Sequence, residues 1–335
     1  MGVINPWFRK IRIFFAGPDR NFCQDALARQ RQCWERACLQ LRFFYGALLY
    51  LAAGRIAHWS VETARAVADP LWPVLWLRWV KDSCGIGAIL ILHLVGALCA
   101  VGFPQKFWAR ALAFLGLLEY GAFNNSFGKI GHSEHGWILA GFVLMFLPAR
   151  TNGSREPEAR KNRQVFLHIF WTAQASVLLT YSMAGWSKIG GALLQCVRGE
   201  PSLFSFDALS RHIAARLLET GVNSAWGPWL IAHPWVGWPA LWGVVYVQAF
   251  SFWAAFRPRL RAVWALLLVL FHLASFFAMD IFFAQAILLL SVLYLPEGQD
   301  GVFPKRWERL LPVVGDLLWS WQGLRREAPV RVRSR

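Results

Sequence analysis

The sequence predicts an all-α fold, a polytopic transmembrane helix bundle of about eight spans with both termini cytoplasmic. Three observations predict it. Apolar residues make up 56% of the 335-residue chain and charged residues only 16%, whereas a soluble domain carries about a quarter charged. Apolar runs recur at close to the length that crosses about 30 Å of hydrocarbon. Basic residues also concentrate in alternate connecting segments, as the positive-inside rule requires. Twenty Trp and 26 Phe fit aromatic belts at the two interfaces.

The elements follow in chain order. Residues 1–40 read as a basic, polar cytoplasmic segment, and the first apolar run begins near Leu41. That is too late for a cleavable signal peptide, so the first span is expected to act as the insertion signal. A membrane domain then fills 41–296, with spans predicted over 41–59, 84–103, 107–123, 135–148, 165–188, 235–256, 260–279 and 281–295. The fourth and eighth are short. With the N-terminus inside, segments 1–42, 103–110, 149–164, 257–261 and 296–335 face the cytoplasm and hold 26 of the 35 Lys and Arg. An odd number of spans would place a basic terminus outside, against the expected bias.

Asn152-Gly153-Ser154-Arg155-Glu156-Pro157 reads as a solvated cytoplasmic loop from its breakers and charges. Residues 190–234 form a long outer segment of mixed polarity. Within it, 207–220 places Leu209, Ile213 and Leu217 at helical spacing opposite Arg211 and Arg216, which predicts an amphipathic helix lying on the outer interface. The tail 297–335 is basic and carries Trp307, Leu310, Leu311, Leu318 and Trp319, a composition suited to anionic lipid headgroups. The net charge of +16 is explained by this topology, so the lipid bilayer is an expected partner and nucleic acid is not. Of six cysteines, only Cys84 and Cys196 fall on the outer side, where a disulfide persists. Two unpaired thiols are the favoured reading.

Ionisable groups at membrane depth are expensive and usually face the bundle interior. Most of them gather toward the outer leaflet. Lys188 ends the fifth span; Asn124 and Asn125 end the third. His132, Glu134 and His135 open the fourth, His272 lies about 10 Å from the outer end of the seventh, and Asp280 follows it. The inner half holds few comparable groups, with His168 near the inner mouth and His93 central. A cleft open to the outside accounts for this distribution.

Each residue also has a plain structural reading. Lys188 and Arg55 fit snorkelling side chains at the interface. The H-x-x-H pair His132 and His135 has ligand spacing, but two interfacial histidines in a polar turn are commoner, and no metal is expected. His272 needs a hydrogen-bond partner whatever its role. Gly185, Gly190 and Gly191 permit close helix packing.

The segment Tyr181-x-x-Ala184-Gly185-x-x-Lys188 resembles a signature of the membrane region of vitamin K-dependent γ-carboxylase, shared with the bacterial horizontally transferred transmembrane (HTTM) domain family. Phe271-His272 followed by Phe276-Phe277, Ile281 and Phe283 looks like that family's F-H motif, and Gly131-His132-Ser133 resembles its N-H-S. The similarity follows span order over most of 40–296, and the lysine motif is its most specific part. It implies catalytic roles for Lys188, His132 and His272, with Asn124, Asn125, His135 and Tyr181 as substrate-contacting neighbours. It implies Lys188 as the base on a reduced quinone, a lipid-soluble cofactor that arrives from the bilayer. Desolvation, which disfavours an ammonium ion, would supply the neutral amine. An inner-membrane location goes with this family.

Two departures stand out: Gly131 replaces the family's Asn, and the carboxylase's large lumenal domain has no counterpart after the eighth span. Three functions therefore compete. They are a membrane enzyme with an outward Lys/His site, a non-enzymatic partner in maturing or exporting a secreted peptide, and a quinone-binding or transport subunit.

Overall fold

The structure, a computed structural model, describes residues 30–65, 69–80, 82–128, 130–149, 156–294, 311 and 313. Residues 152–155 of the predicted loop 152–157, the first 29 residues and nearly all of the basic tail lie outside the described residues. Every regular element within them is helical, with no strand. Four helices are long and apolar enough to cross a membrane: Gln30–Ala57, Ser83–Gly102, Glu158–Val197 and Leu260–Met279.

The first helix, α1 (Gln30–Ala57), starts well before Leu41. Its opening turns are amphipathic. Ala37 is buried, and Cys33, Trp34 and Cys38 pack on the core, while Arg31 pairs with Glu35 at 3.0 Å on the exposed face. The basic segment expected to end at residue 40 thus contributes three turns to the helix. A short helix α2 (Trp59–Thr63) and a 3-10 turn Val74–Trp79 follow. Val74 and Leu77 of that turn are buried against Ile86, Tyr120 and Phe123, so it covers one end of the next two helices.

Helices α3 (Asp82–Gly102) and α4 (Phe107–Asn124) form an antiparallel hairpin close to its predicted bounds. Two glycines bring their backbones together. A Cβ on Gly96 would sit 2.6 Å from the Leu112 carbonyl oxygen, and one on Gly116 would sit 2.6 Å from His93 Cα. Small residues at such crossings are how membrane helices gain packing where lipid offers no hydrophobic drive.

The predicted fourth span is shorter than expected. Helix α5 (His135–Met145) has 11 residues, about 16 Å, or half a bilayer, and the last described helix covers Ala284–Tyr294. They lie side by side, since the Trp137 indole donates to the Gln285 carbonyl oxygen at 3.1 Å and a Cβ on Gly136 would meet Leu289 at 2.8 Å.

Helix α6 (Glu156–Val197) runs 42 residues, about 63 Å, well past the predicted 165–188. It absorbs Glu156 of the predicted loop and the first turns of the outer segment. No breaker stops it at Gly190 or Gly191, where nothing lies within 4 Å; the chain turns only at Gly199, with φ +69°. Next comes α7 (Ala208–Thr220), the predicted amphipathic helix. Ile213 is fully buried. Leu209 faces Gly237 and Leu217 faces Gly227, so the apolar stripe packs on protein: on α8 (Gly227–Ala232) and α9 (Pro234–Ala249).

The sixth predicted span, 235–256, is broken into α9 and α10 (Ser251–Ala255). Its cause lies on α6. Ser182 Oγ donates to the Ala249 carbonyl oxygen at 2.9 Å and accepts from the Phe252 N–H at 2.8 Å. A hydroxyl inserted into a helical ladder in this way kinks it. Helices α11 (Pro258–Met279) and α12 (Ala284–Tyr294) are the last described helices. Asp280 caps α11 at φ 54°, and 281–283 are non-helical.

The end of the bundle opposite the candidate histidines and lysine is also rich in buried polar side chains. Near the N-terminal ends of α1 and α11, Arg261 donates to Gln174 Oε1 at 2.7 Å. Gln174 and Gln40 both donate to the Leu293 carbonyl oxygen, at 2.7 and 2.9 Å, and Tyr294 hydrogen-bonds to the Gln174 carbonyl oxygen. Arg110 and Arg257 are also buried; Arg110 caps the chain after α5 through Met145 and Leu147. Glutamines and arginines scattered through apolar helices form no motif, so nothing local in the sequence marks them as partners. Cys84 and Cys196 are both free and exposed. Each is expected to take up a maleimide without prior reduction, and mass spectrometry showing a bridged peptide pair would contradict this.

Candidate functional site

The candidate residues lie in the C-terminal halves of α1, α4, α6 and α11, at the N-terminal ends of α5 and α12, and at Gln248, the penultimate residue of α9. Antiparallel packing of neighbours brings these positions together. They fall into two groups.

The first group sits between α6, α9 and α11. Tyr181 and Lys188 are seven residues apart on α6 and so share a face. Tyr181 Oη and His272 Nε2 are 2.8 Å apart. The His272 ring is only 5% exposed and is flanked by Phe271 and Phe283, both with ring centroids 4.8 Å away. Lys188 Nζ donates to Gln248 Oε1 at 2.8 Å. The lysine stem is exposed while Gln248 is buried, so the side chain lies along the bundle surface with its amine turned inward. Among the described residues Lys188 has no carboxylate partner; the amide fixes its position without adding a negative charge.

Gly185, between the two, makes this geometry possible. A Cβ there would fall 2.3 Å from the Ala249 nitrogen, so α6 and α9 touch backbone to backbone one residue from Gln248. The glycine reading of the sequence holds for Gly185 and not for Gly190 or Gly191.

The second group links α1, α3, α4 and α5. Arg55, expected to snorkel, is instead 8% exposed. Its Nη1 donates to His93 Nε2 at 2.8 Å, its Nη2 lies 3.7 Å from Glu134, and its guanidinium stacks 3.5 Å over the Tyr120 ring. An interior anion 79 residues along the chain outcompetes the interface for this cation. Glu134 also accepts from Ser133 Oγ at 2.6 Å and from Asn124 Nδ2 at 3.3 Å. Asn124 Oδ1 in turn accepts from Arg65 at 3.4 Å, and Arg65 pairs with Glu62 at 3.0 Å.

Comparison with protein-family models, with curated proteins and with solved structures gives no match in any of the three.

Of the predicted residues, the structure pairs Tyr181 with His272 and gives Lys188 a partner, Gln248, that sequence reasoning missed. His132 is exposed and meets His135, with Nδ1 atoms 3.2 Å apart, so it joins neither Lys188 nor His272. Asn125 is engaged by backbone: its Nδ2 donates to the Gly121 carbonyl oxygen at 2.9 Å and its Oδ1 accepts from the Gly131 N–H at 2.6 Å. That staples the turn before α5 and leaves Asn125 a structural role. Asn124 serves the ionic cluster. The Arg55–Glu134 pair had one visible signal, an arginine and an acid at matching depth in different spans, which only a topology could connect.

Proposed function

We propose that this chain is an eight-span protein of the inner membrane with cytoplasmic termini, and that its Lys188 and His272 form a proton-transfer site for a quinol-type substrate. The kinship with the HTTM and γ-carboxylase membrane region is part of this proposal. The supporting observation is the pairing on α6: an amine held by a neutral amide at Lys188, and a buried phenol–imidazole pair at Tyr181 two turns away. In this role Lys188 takes a hydroxyl proton from a substrate arriving through lipid, which its exposed stem admits. Tyr181 and Gln248 position the imidazole and the amine.

The test uses purified protein in lipid nanodiscs with a short-chain naphthohydroquinone under anaerobic conditions. Wild type is expected to shift the absorption toward the quinolate anion. The Lys188→Ala variant, with unchanged far-ultraviolet circular dichroism, is expected to lose most of that signal, because no amine remains at this place to take the hydroxyl proton. An unshifted wild-type spectrum, or a variant equal to wild type, ends the proposal.

A second reading, a non-enzymatic partner for a secreted peptide, is favoured by the apolar surface of the outer segment, where Leu218 is 86% and Phe206 55% exposed. It predicts that deleting α7 abolishes peptide capture while Lys188→Ala leaves capture intact.

A further inference from the structure

We infer that His132 and His135, at the start of α5, form a transition-metal site that takes a divalent cation of the zinc class through their two Nδ1 atoms. The site is separate from Lys188 and His272 and does not rest on the quinol reading.

The two nitrogens lie 3.2 Å apart. Two imidazoles on one tetrahedral zinc, each about 2.05 Å from the metal, hold their nitrogens about 3.3 Å apart. The rings agree with the same arrangement, their centroids being 5.0 Å apart. Nitrogens aimed at a shared metal put the centroids about 5 Å apart, whereas a straight N–H···N bond of this length puts them at about 5.5 Å. The two nitrogens are thus turned off the line that joins them, as a shared cation requires.

The turn around the pair is held by other residues. Asn125 Oδ1 accepts from the Gly131 N–H at 2.6 Å, one residue before His132, and Asn125 Nδ2 donates to the Gly121 carbonyl oxygen at 2.9 Å. Glu134, between the two histidines, is fixed from the other side, its carboxylate meeting Ser133 at 2.6 Å and Arg55 at 3.7 Å. His135 is the first residue of α5, so its backbone is set by the helix. A pair braced in this way needs little further ordering when a ligand binds.

The donor set defines the ligand. Imidazole nitrogen suits zinc, copper and nickel, whereas magnesium and calcium require oxygen. Among the described residues no group of three or more His, Cys, Asp or Glu is placed to hold a metal. The protein therefore supplies two of the four positions of a tetrahedral ion. His132 is exposed, so water or a donor from a second molecule reaches the others. The H-x-x-H spacing alone carried no metal; the distance between the nitrogens and the tilt of the rings do.

The experiment titrates Zn²⁺ into the full chain in lipid nanodiscs, in competition with a chromophoric zinc chelator at neutral pH and with empty nanodiscs as the blank. Wild type is expected to hold one Zn²⁺ at this site with a Kd on the order of 10 µM, about half the binding free energy of a full four-ligand site. His132→Ala and His135→Ala are each expected to weaken it at least about tenfold. His132 is exposed, so its replacement leaves the packing alone. His132→Cys, which restores a zinc ligand, is expected to keep binding. His212→Ala on α7 and His233→Ala before α9 are expected to bind like wild type, and a millimolar excess of Mg²⁺ is expected to displace nothing. Absence of saturable binding in wild type overturns the inference, as does a folded His132→Ala that binds like wild type. Loss of binding in His212→Ala or His233→Ala, with His132→Ala unchanged, assigns the metal elsewhere and overturns it too. Neither Lys188 nor His272 takes part, so the proton-transfer reading stands or falls separately.

Discussion

Replacing Glu134 by leucine is expected to destabilise the bundle by about 3–5 kcal/mol, the usual consequence of removing one member of a buried ion pair. Arg55 cannot follow its lost partner into water, because it is 8% exposed and stacked 3.5 Å over Tyr120. His93 and the Tyr120 ring remain to it, and neither is an anion. The carboxylate also accepts from Ser133 and Asn124, so its loss loosens the turn before α5 as well. The Arg55→Met, Glu134→Leu double variant removes both charges and is expected to regain most of the loss, since apolar replacements of buried ion pairs are often neutral. Unfolding by SDS titration, followed by circular dichroism as a double-mutant cycle, measures both effects. A single-variant loss under about 1 kcal/mol, the value of an exposed pair, would show that water reaches Arg55.

The reach of the sequence is clearest residue by residue. Apolar run length located α3, α4 and α11 closely, because lipid-facing helices are selected for length and apolarity and both are local properties. Helix α7 was legible for the same reason, from the spacing of Leu209, Ile213 and Leu217. What the sequence concealed depends on contacts between helices. Ser182 reads as an ordinary small polar residue of α6, yet it breaks a different helix at Phe250 by taking two of its backbone bonds. Arg55 at a span end reads as a snorkelling cation until Glu134 and His93 appear beside it. Gln248 carries no charge and belongs to no motif, so nothing local marked it. The site was therefore half legible. Tyr181, Lys188 and His272 stood out by residue type and depth, the amide neighbour of Lys188 did not, and His132 was assigned to a group that it does not join.

Gly185→Leu is expected to cost about 3 kcal/mol or more, at the upper end for overpacking a closed contact, and to abolish the site as well. A Cβ at this position lies 2.3 Å from the Ala249 nitrogen and 2.6 Å from its Cα. The clash is with backbone, so no side-chain rotation relieves it and α9 must move away from α6. Three interactions span that contact: Lys188 to Gln248 at 2.8 Å, and the two bonds of Ser182 to Ala249 and Phe252 at 2.9 and 2.8 Å. A displacement of about 1 Å takes all of them beyond hydrogen-bonding range. The Tyr181–His272 pair joins α6 to α11 instead, so it is expected to survive. The variant should lose the quinolate signal as fully as Lys188→Ala does. Lys188→Ala leaves the helix contact alone and should not lower stability by more than about 1 kcal/mol. Measuring both variants by SDS titration and by quinol absorption separates a lysine that acts on substrate from one that merely follows the packing. If Gly185→Leu keeps the quinolate signal, the amine works without Gln248, and the pairing that places it is not what the chemistry needs.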